Sequence, residues 1–259
     1  MQENLLRSTL SNLPLSEIHY FDNIDSTNLA GLRLLKEGAS EYTLLAAENQ
    51  TAGRGRMDRH WVTTPGASLA FSLIILPHAD ELQYLPLFTI LGGLALCNAI
   101  AQYCGVKAKI KWPNDILLNG EKTAGILAES SWEGNKMLGL ALGIGVNLLP
   151  RSIPFEKPFI FPATCLQKHC KKKILAENFL NIILEHIIQM RPSITKPEFI
   201  INYRENLAFL GEMVSLISPG GLVTHGVFLG VNAQGSLMLR RRNGEIEEFS
   251  AGDLSLRLT

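Results

Sequence analysis

The chain has 259 residues, 46% of them hydrophobic, and its 24 lysines and arginines are matched by 24 aspartates and glutamates. A neutral chain has no overall field to draw in nucleic acid or an anionic membrane, so any charge-driven recognition must be local. The length suits a main domain plus a smaller one, with enough apolar residues for a sizeable core.

The opening stretch, MQENLLRSTLSNLPLSEIHY, lacks the apolar segment of a signal peptide, and residues 1–17 read as an extension. IHYFDNID (18–25) reads as a strand. Ser26, Thr27 and Asn28 then offer N-cap side chains to a helix running to Glu37 and closed by Gly38, with Leu29, Leu32 and Leu35 on one face. TLLAAEN is a short strand. A turn at Pro65-Gly66 leads into SLAFSLIIL, apolar enough to be buried on both faces. Residues 82–104 read as one long core helix. Their most apolar part, 85–101, falls short of the ~20 apolar residues of a membrane span.

KIKWPNDILL and EKTAGILAES are two strand-like runs joined by Asn119-Gly120, a strong hairpin signal. LGLALGIGVNLL is another strand, followed by a proline-rich loop from Pro150 to Pro162. A helix is expected over 174–191, with Leu175, Phe179, Ile183, Leu184, Ile187 and Ile188 on its buried side, and a shorter one over 196–209. Beyond Gly211 the pattern changes to short strands, MVSLIS, THGVFLGV, SLMLRRR and EIEEFS, separated by Gly- and Asn-rich turns. They predict a small SH3-like barrel that must pack on the main domain, because so few residues make a marginal core alone. Cys97, Cys104, Cys165 and Cys170 have neither zinc-ligand nor CxxC spacing and read as free thiols of a cytoplasmic protein. Lys171 to Lys173 and Arg240 to Arg242 read as solvated runs.

The stretch NQTAGRGRMDRHW (49–61) carries the chemistry. It gathers Arg54, Arg56 and Arg59 around Gly53 and Gly55 and ends on an aromatic, Trp61. Guanidinium groups bind carboxylate and phosphate through paired, charge-assisted hydrogen bonds, and glycines let backbone wrap closely around a ligand. The stretch reads as an anion-binding loop, with a merely solvated run of charge as the alternative. There is no GxxxxGK[ST], HExxH or GxSxG, and Gly143-Ile144-Gly145 lacks the third glycine of a dinucleotide fingerprint.

DSTN (25–28), QTAGRGR (50–56) with Arg59 and Trp61, KWPNDIL (111–117), KTAGIL (122–127), GIGVN (143–147) and the closing GDLSLR (252–257) occur in that order. In these motifs, from about residue 18 to the end, the chain resembles the biotin–protein ligases, also called biotin–[acetyl-CoA-carboxylase] ligases. The resemblance implies an α/β (α+β) catalytic domain over 18–210, a mixed sheet with helices related to class II aminoacyl-tRNA synthetases, and an SH3-like domain over 211–259. It implies that biotin and ATP, with Mg2+ carried on the phosphates, give biotinyl-5′-AMP, and that a lysine of a biotin carboxyl carrier protein then takes the biotin.

By resemblance, the biotin site comprises Ser26, Thr27, Asn28, Gln50, Arg54, Gly55, Arg56 and Lys122. Arg56, Arg59, Trp61, Asn147 and Arg257 serve ATP. Arg54, Arg56, Lys122 and Asp115 carry the catalysis, with no protein-bound metal. For several positions two readings stand: Ser26 and Thr27 can simply cap a helix, Lys122 can be a surface lysine, Trp61 can be core, and Asp115 can either handle the carrier lysine's proton or cap a turn. Met57-Asp58 departs from the small or basic pair usual there, with Asp58 able either to weaken the anion loop or to pair with Arg59, and Cys165 stands where serine is more usual. Too little chain precedes residue 18 for a winged helix–turn–helix, so the resemblance points to the monofunctional type, with no nucleic-acid or membrane partner. A lipoate or octanoate ligase or transferase of the same fold is the alternative, and a non-catalytic biotin-binding module a third. Oligomeric state is left open.

Overall fold

A computed structural model describes residues 1–57, 59–153, 162–218, 221–250 and 255–258. The expectations for Asp58, for 154–161 of the proline-rich loop, for Pro219-Gly220 and for 252–254 of the closing motif lie outside the described residues. The main sheet has seven strands: β1 (Ile18–Ile24), β2 (Leu44–Gln50), β3 (Ser68–Ile75), β4 (Lys109–Lys111), β5 (Asp115–Leu118), β6 (Glu121–Glu133) and β7 (Lys136–Asn147), in the order β1-β2-β3-β7-β6-β5-β4. β1 and β2 run parallel, as a strand–helix–strand crossover requires, and the remaining neighbours are antiparallel.

Strand alternation divides the sheet between two layers. Leu69, Phe71, Leu73 and Ile75 of β3 face the main core, under α3 (Pro86–Cys104) and α4 (Ala176–Met190). Ile74 faces the other way, into a small cluster with Ala30 and Leu35 of α2 (Thr27–Lys36) and Leu45 of β2. Both faces are covered, which is why all eight residues of β3 are buried. α1 (Glu3–Thr9) packs on α4 through the fully buried Leu6. α3 is long and apolar enough to cross a membrane by length and composition, but 72% of that window is buried inside the fold, as a core helix requires.

Four local expectations are corrected. The helix expected over 82–104 is a 3-10 turn, Ala79–Tyr84, followed by α3 with Pro86 in its first turn, where a missing N–H costs nothing. KIKWPNDILL is not one strand: the chain reverses at a cis Trp112–Pro113 bond, and β4 pairs back on β5. Leu175 precedes the first turn of α4 with extended backbone and is 43% exposed, while Phe179, Ile183, Leu184 and Ile187 are buried. The Ser26 and Thr27 side chains do not cap α2: Gln50 Oε1 takes the first-turn amide of Thr27, and Thr27 Oγ1 donates to the same oxygen. Asn119 (φ 49°) and Gly120 (φ 81°) do form the tight turn between β5 and β6.

The chain then passes through α5 (Pro197–Asn206) into β8 (Met213–Ile217), β9 (Val223–Val231), β10 (Leu237–Arg240), β11 (Ile246–Phe249) and β12 (Ser255–Leu258). These form a five-stranded antiparallel sheet ordered β11-β10-β9-β8-β12, with no β11–β12 pairing among the described residues. It docks on the main domain: Trp112 Nε1 donates to Gly235 O (3.2 Å), and Arg204 Nη2 of α5 to Leu229 O (3.0 Å).

One buried ion cluster clamps the far end of the main sheet. Arg191 is 4% exposed and Glu81 5%. The guanidinium pairs with Glu81 (2.9 Å) and with Glu41, and donates to Leu76 O (3.1 Å). Burial alone would raise the Glu81 pKa, but its hydrogen bonds from Arg191 and from the His78 amide outweigh it and hold the carboxyl below its usual value. A carboxylate depressed in the folded state stabilises the protein above its unfolded pKa, and that contribution fades as pH falls through the folded value. Arg191→Met strands two acids and is expected to cost about 3–5 kcal/mol in urea unfolding at pH 7. In that variant the acid limb of the stability–pH curve below about pH 4.5 should flatten.

Candidate functional site

The cavity lies on the α2 face of the sheet, where β3, β7 and β6 turn small residues outward beyond the end of the helix. Two glycines of β7 make its floor. A Cβ on Gly143 would sit 2.1 Å from Asn28 Oδ1, and a Cβ on Gly145 would sit 2.3 Å from the Trp61 indole. Neither contact is tolerable, so the glycines are there to let Asn28 and Trp61 lie flat on the strand.

At one end the lining is polar and uncharged. Gln50 Oε1 accepts from the Thr27 amide (2.8 Å) and from Thr27 Oγ1 (3.1 Å). Ser72 Oγ donates to Asn28 Oδ1 (2.5 Å) and lies 2.8 Å from Thr27 Oγ1. Asn28 Nδ2 donates to Leu127 O (3.0 Å) and to Glu129 Oε2 (2.9 Å). Ser26, Thr27 and Asn28 are nearly fully buried and all line the cavity. These side chains therefore present fixed donors and acceptors to a neutral polar group.

The centre is cationic. Asp115, 8% exposed, opens β5, and its carboxylate takes Lys122 Nζ on Oδ1 (2.5 Å) and Lys111 Nζ on Oδ2 (3.3 Å). Burial pushes the Asp115 pKa up, but the charges of Lys122 and Lys111 outweigh it and hold the group below its usual value, so it is an anion. Burial also pulls the Lys111 pKa down, against the upward pull of Asp115. Lys122 lies over the Trp61 ring, 5.7 Å from its centroid. Its amide and carbonyl are pinned by Pro162 O and the Thr164 amide (2.7 and 2.9 Å), so the β5–β6 hairpin turns the side chain into the cavity rather than to the surface.

The arginine loop folds back on itself over the mouth. Trp61 N donates to Gly53 O (2.8 Å) and Gly55 N to Arg59 O (2.7 Å). Gly53 must be glycine because a Cβ there would meet Trp61 O at 2.3 Å. Arg54 Nη2 pairs with Glu129 Oε1 (3.0 Å), and Arg56 Nη1 donates to Asn114 Oδ1 (3.4 Å). Asn114 is itself held to β6 by mutual hydrogen bonds with Ile126 (2.9 Å each). Arg59 is exposed at the rim.

Of the residues singled out from the sequence, Ser26, Thr27, Asn28, Gln50, Arg54, Gly55, Arg56, Arg59, Trp61, Asp115 and Lys122 all line this one cavity. Asn147 does not: its Nδ2 donates to Thr164 O (3.1 Å). Nor does Arg257, whose neighbour Leu256 carries the C-terminal sheet to the cavity wall and whose buried Nε finds no partner among the described residues. Sequence reasoning passed over Ser72 and Glu129. The signal for Ser72 was a lone hydroxyl in an otherwise apolar buried strand. Glu129 gave none, because its partners come from α2 and the loop.

Residues 20–147 match the model of the Biotin/lipoate A/B protein ligase family, and 209–257 that of the Biotin protein ligase C terminal domain. The chain is 36% identical over 223 residues to the biotin–[acetyl-CoA-carboxylase] ligase of Paracoccus denitrificans, covering 83% of this chain and 91% of that protein. It is 32% identical over 253 residues to the bifunctional ligase/repressor BirA of Bacillus subtilis, covering 92% of this chain and 73% of that protein. Among solved structures, the biotin protein ligase from Aquifex aeolicus in complex with biotin and ATP superposes with a TM-score of 0.80 at 28% identity, over 95% of this chain and all of that one.

The glycine floor generates a direct test. Gly145→Ala is expected to expel the Trp61 indole and to lower stability by about 1–3 kcal/mol through overpacking. Tryptophan emission should shift to the red in the variant, and should not when Trp61→Phe is already present.

Proposed function

The chain belongs to the biotin protein ligase family, and we propose that its cavity joins biotin to ATP and hands the product to a carrier lysine. The biotin carboxylate attacks the α-phosphate of ATP, the bond to the β-phosphate oxygen breaks, and pyrophosphate leaves. The amine of a lysine on the biotin carboxyl carrier protein of acetyl-CoA carboxylase then attacks the biotinyl carbonyl of biotinyl-5′-AMP. AMP leaves, and the amine proton passes to solvent. The observation that carries this reading is the joining, in a single cavity, of a neutral polar end to a cationic centre. Biotin has the matching polarity: a neutral ureido ring at one end and a carboxylate at the other.

The polar end, Ser26, Thr27 and Gln50 with Asn28 behind them, receives the ureido ring. Arg56 and Lys122 meet the charge that develops between carboxylate and phosphate, where two anions must come together. Fixed donors at such a point contribute on the order of 3 kcal/mol each. Asp115 has both oxygens committed to lysines, so its part is to hold two cations side by side in a buried place and aim Lys122 at the reacting atoms. Gly55 brings loop backbone close, and Arg59 and Trp61, both on the cavity wall, serve the nucleotide. Magnesium carried on the ATP phosphates would offset the charge of the departing pyrophosphate. The lysines and arginines around the cavity suit a metal held by phosphate oxygens rather than by a protein cage. The working compartment is the cytoplasm, in keeping with four unpaired cysteines. The catalytic unit is 18–210 and the SH3-like unit 211–259.

ATP–pyrophosphate exchange with biotin, lipoate and octanoate side by side tests the substrate. Exchange is expected with biotin, and exchange driven by lipoate or octanoate instead would replace it with a ligase of the same fold. Arg56→Ala is expected to slow exchange at least about a hundredfold. Asp115→Ala should slow both exchange and transfer from preformed adenylate. Normal exchange and transfer in that variant would show that Asp115 does not aim Lys122 at the reacting atoms.

A further inference from the structure

Glu129 makes two bonds at once, and their partners belong to different parts of the site. One oxygen takes Arg54 of the arginine loop and the other takes Asn28 of α2. Asn28 leads on through Ser72 and Thr27 to Gln50, the last residue of β2 before the loop begins. The loop and the polar end of the cavity are thus joined across the mouth through one carboxylate.

We propose that Glu129 is a positioning residue, the fixed half of a clasp that holds the arginine loop shut over bound biotin and its adenylate. The proposal rests on the ligase reading above. Two features separate it from an ordinary surface ion pair. Glu129 is only 20% exposed at its side chain and is anchored by a buried asparagine, so only the Arg54 side chain, 42% exposed, gives up freedom when the two meet. The start of the loop is tied to the end of β1 by Thr51 N to Ile24 O and Ala52 N to Asp25 O, but from Gly53 onward its backbone bonds close it on itself, Gly53 to Trp61 and Gly55 to Arg59, whereas the Arg54–Glu129 pair, beside the longer Arg56–Asn114 contact, ties the closed loop toward β6.

A division of labour among the arginines follows. The Arg54 guanidinium is neutralised by Glu129, so its work is to close the loop, and the charge at the reacting centre comes from Arg56 and Lys122. Substrates enter and the adenylate leaves when Arg54 parts from Glu129. The strength of the pair therefore sets how long the reactive anhydride stays out of water.

The test is the release rate of biotinyl-5′-AMP from full-length enzyme loaded with biotin and MgATP, without carrier protein, in wild type, Glu129→Gln, Arg54→Gln and the double variant. The amide in Glu129→Gln keeps an oxygen for Asn28 and loses the charge for Arg54. Each single variant should release the adenylate roughly fivefold faster. The KM for biotin should rise and that for ATP stay within about twofold. The double variant should be no worse than either single, as a pair acting as one unit requires. Wild-type release from Glu129→Gln, or effects that simply add in the double variant, would overturn the clasp. Arg54→Gln reads the same pair from the loop side should Glu129→Gln fold poorly. A wild-type chain that makes no biotinyl-5′-AMP would overturn the ligase reading, whereas one that makes it while both variants retain it normally overturns the clasp alone.

Discussion

The site is organised by charge repulsion held in check. Two lysines, Lys111 buried and Lys122 half-buried, approach each other, which is costly unless an anion lies between them. Asp115 is that anion. It can stay ionised at 8% exposure because both cations are in contact with it, and they can stay together because of it. The backbone supplies the geometry. The chain reverses after Lys111, so β4 and β5 lie antiparallel with Lys111 opposite Asp115, and the next hairpin returns Lys122 to the same place. Three charged side chains from three strands thus converge without a helix or a metal to gather them.

Around that charge centre, space matters as much as electrostatics. Only glycine at 143 and 145 is small enough to let Asn28 and Trp61 lie against β7. The same alternation that sends Ile144 and Val146 into the main core sends these glycines toward α2. Core and cavity are the two faces of one strand, so the floor of the cavity is as rigid as the core beneath it. Beyond Ala52 the loop above it is tied to the sheet by side chains instead, which suits a part that must open and close.

Much of this architecture is legible in the residues alone. The apolar run of β3, the Asn119-Gly120 turn, the periodicity of α4 and the change of pattern after Gly211 each report a local preference that tertiary packing reinforces. The same holds for the arginines and glycines of the loop, whose residue types declare anion binding wherever the loop lies. The failures also have local causes. KIKWPNDILL has the composition of one strand, and only the reversal at Trp112–Pro113 divides it. Leu175 continues the helical period but sits one residue before the helix begins. Ser26 and Thr27 have the residue types of helix caps, yet Thr27 finds a better partner in Gln50, on a neighbouring strand.

By itself, then, the sequence determined what is set by neighbours along the chain: the strands and helices, the tight turns, and the chemical character of the loop and of the motifs after it. Only the tertiary structure decided which charges meet. Lys111, Asp115 and Lys122 become one cluster, Arg54 finds Glu129, and Ser72 finds Asn28, through strand register and the crossing of α2 over the sheet. Electrostatic and hydrogen-bond energies depend on distance in space, and separation along the chain does not encode it.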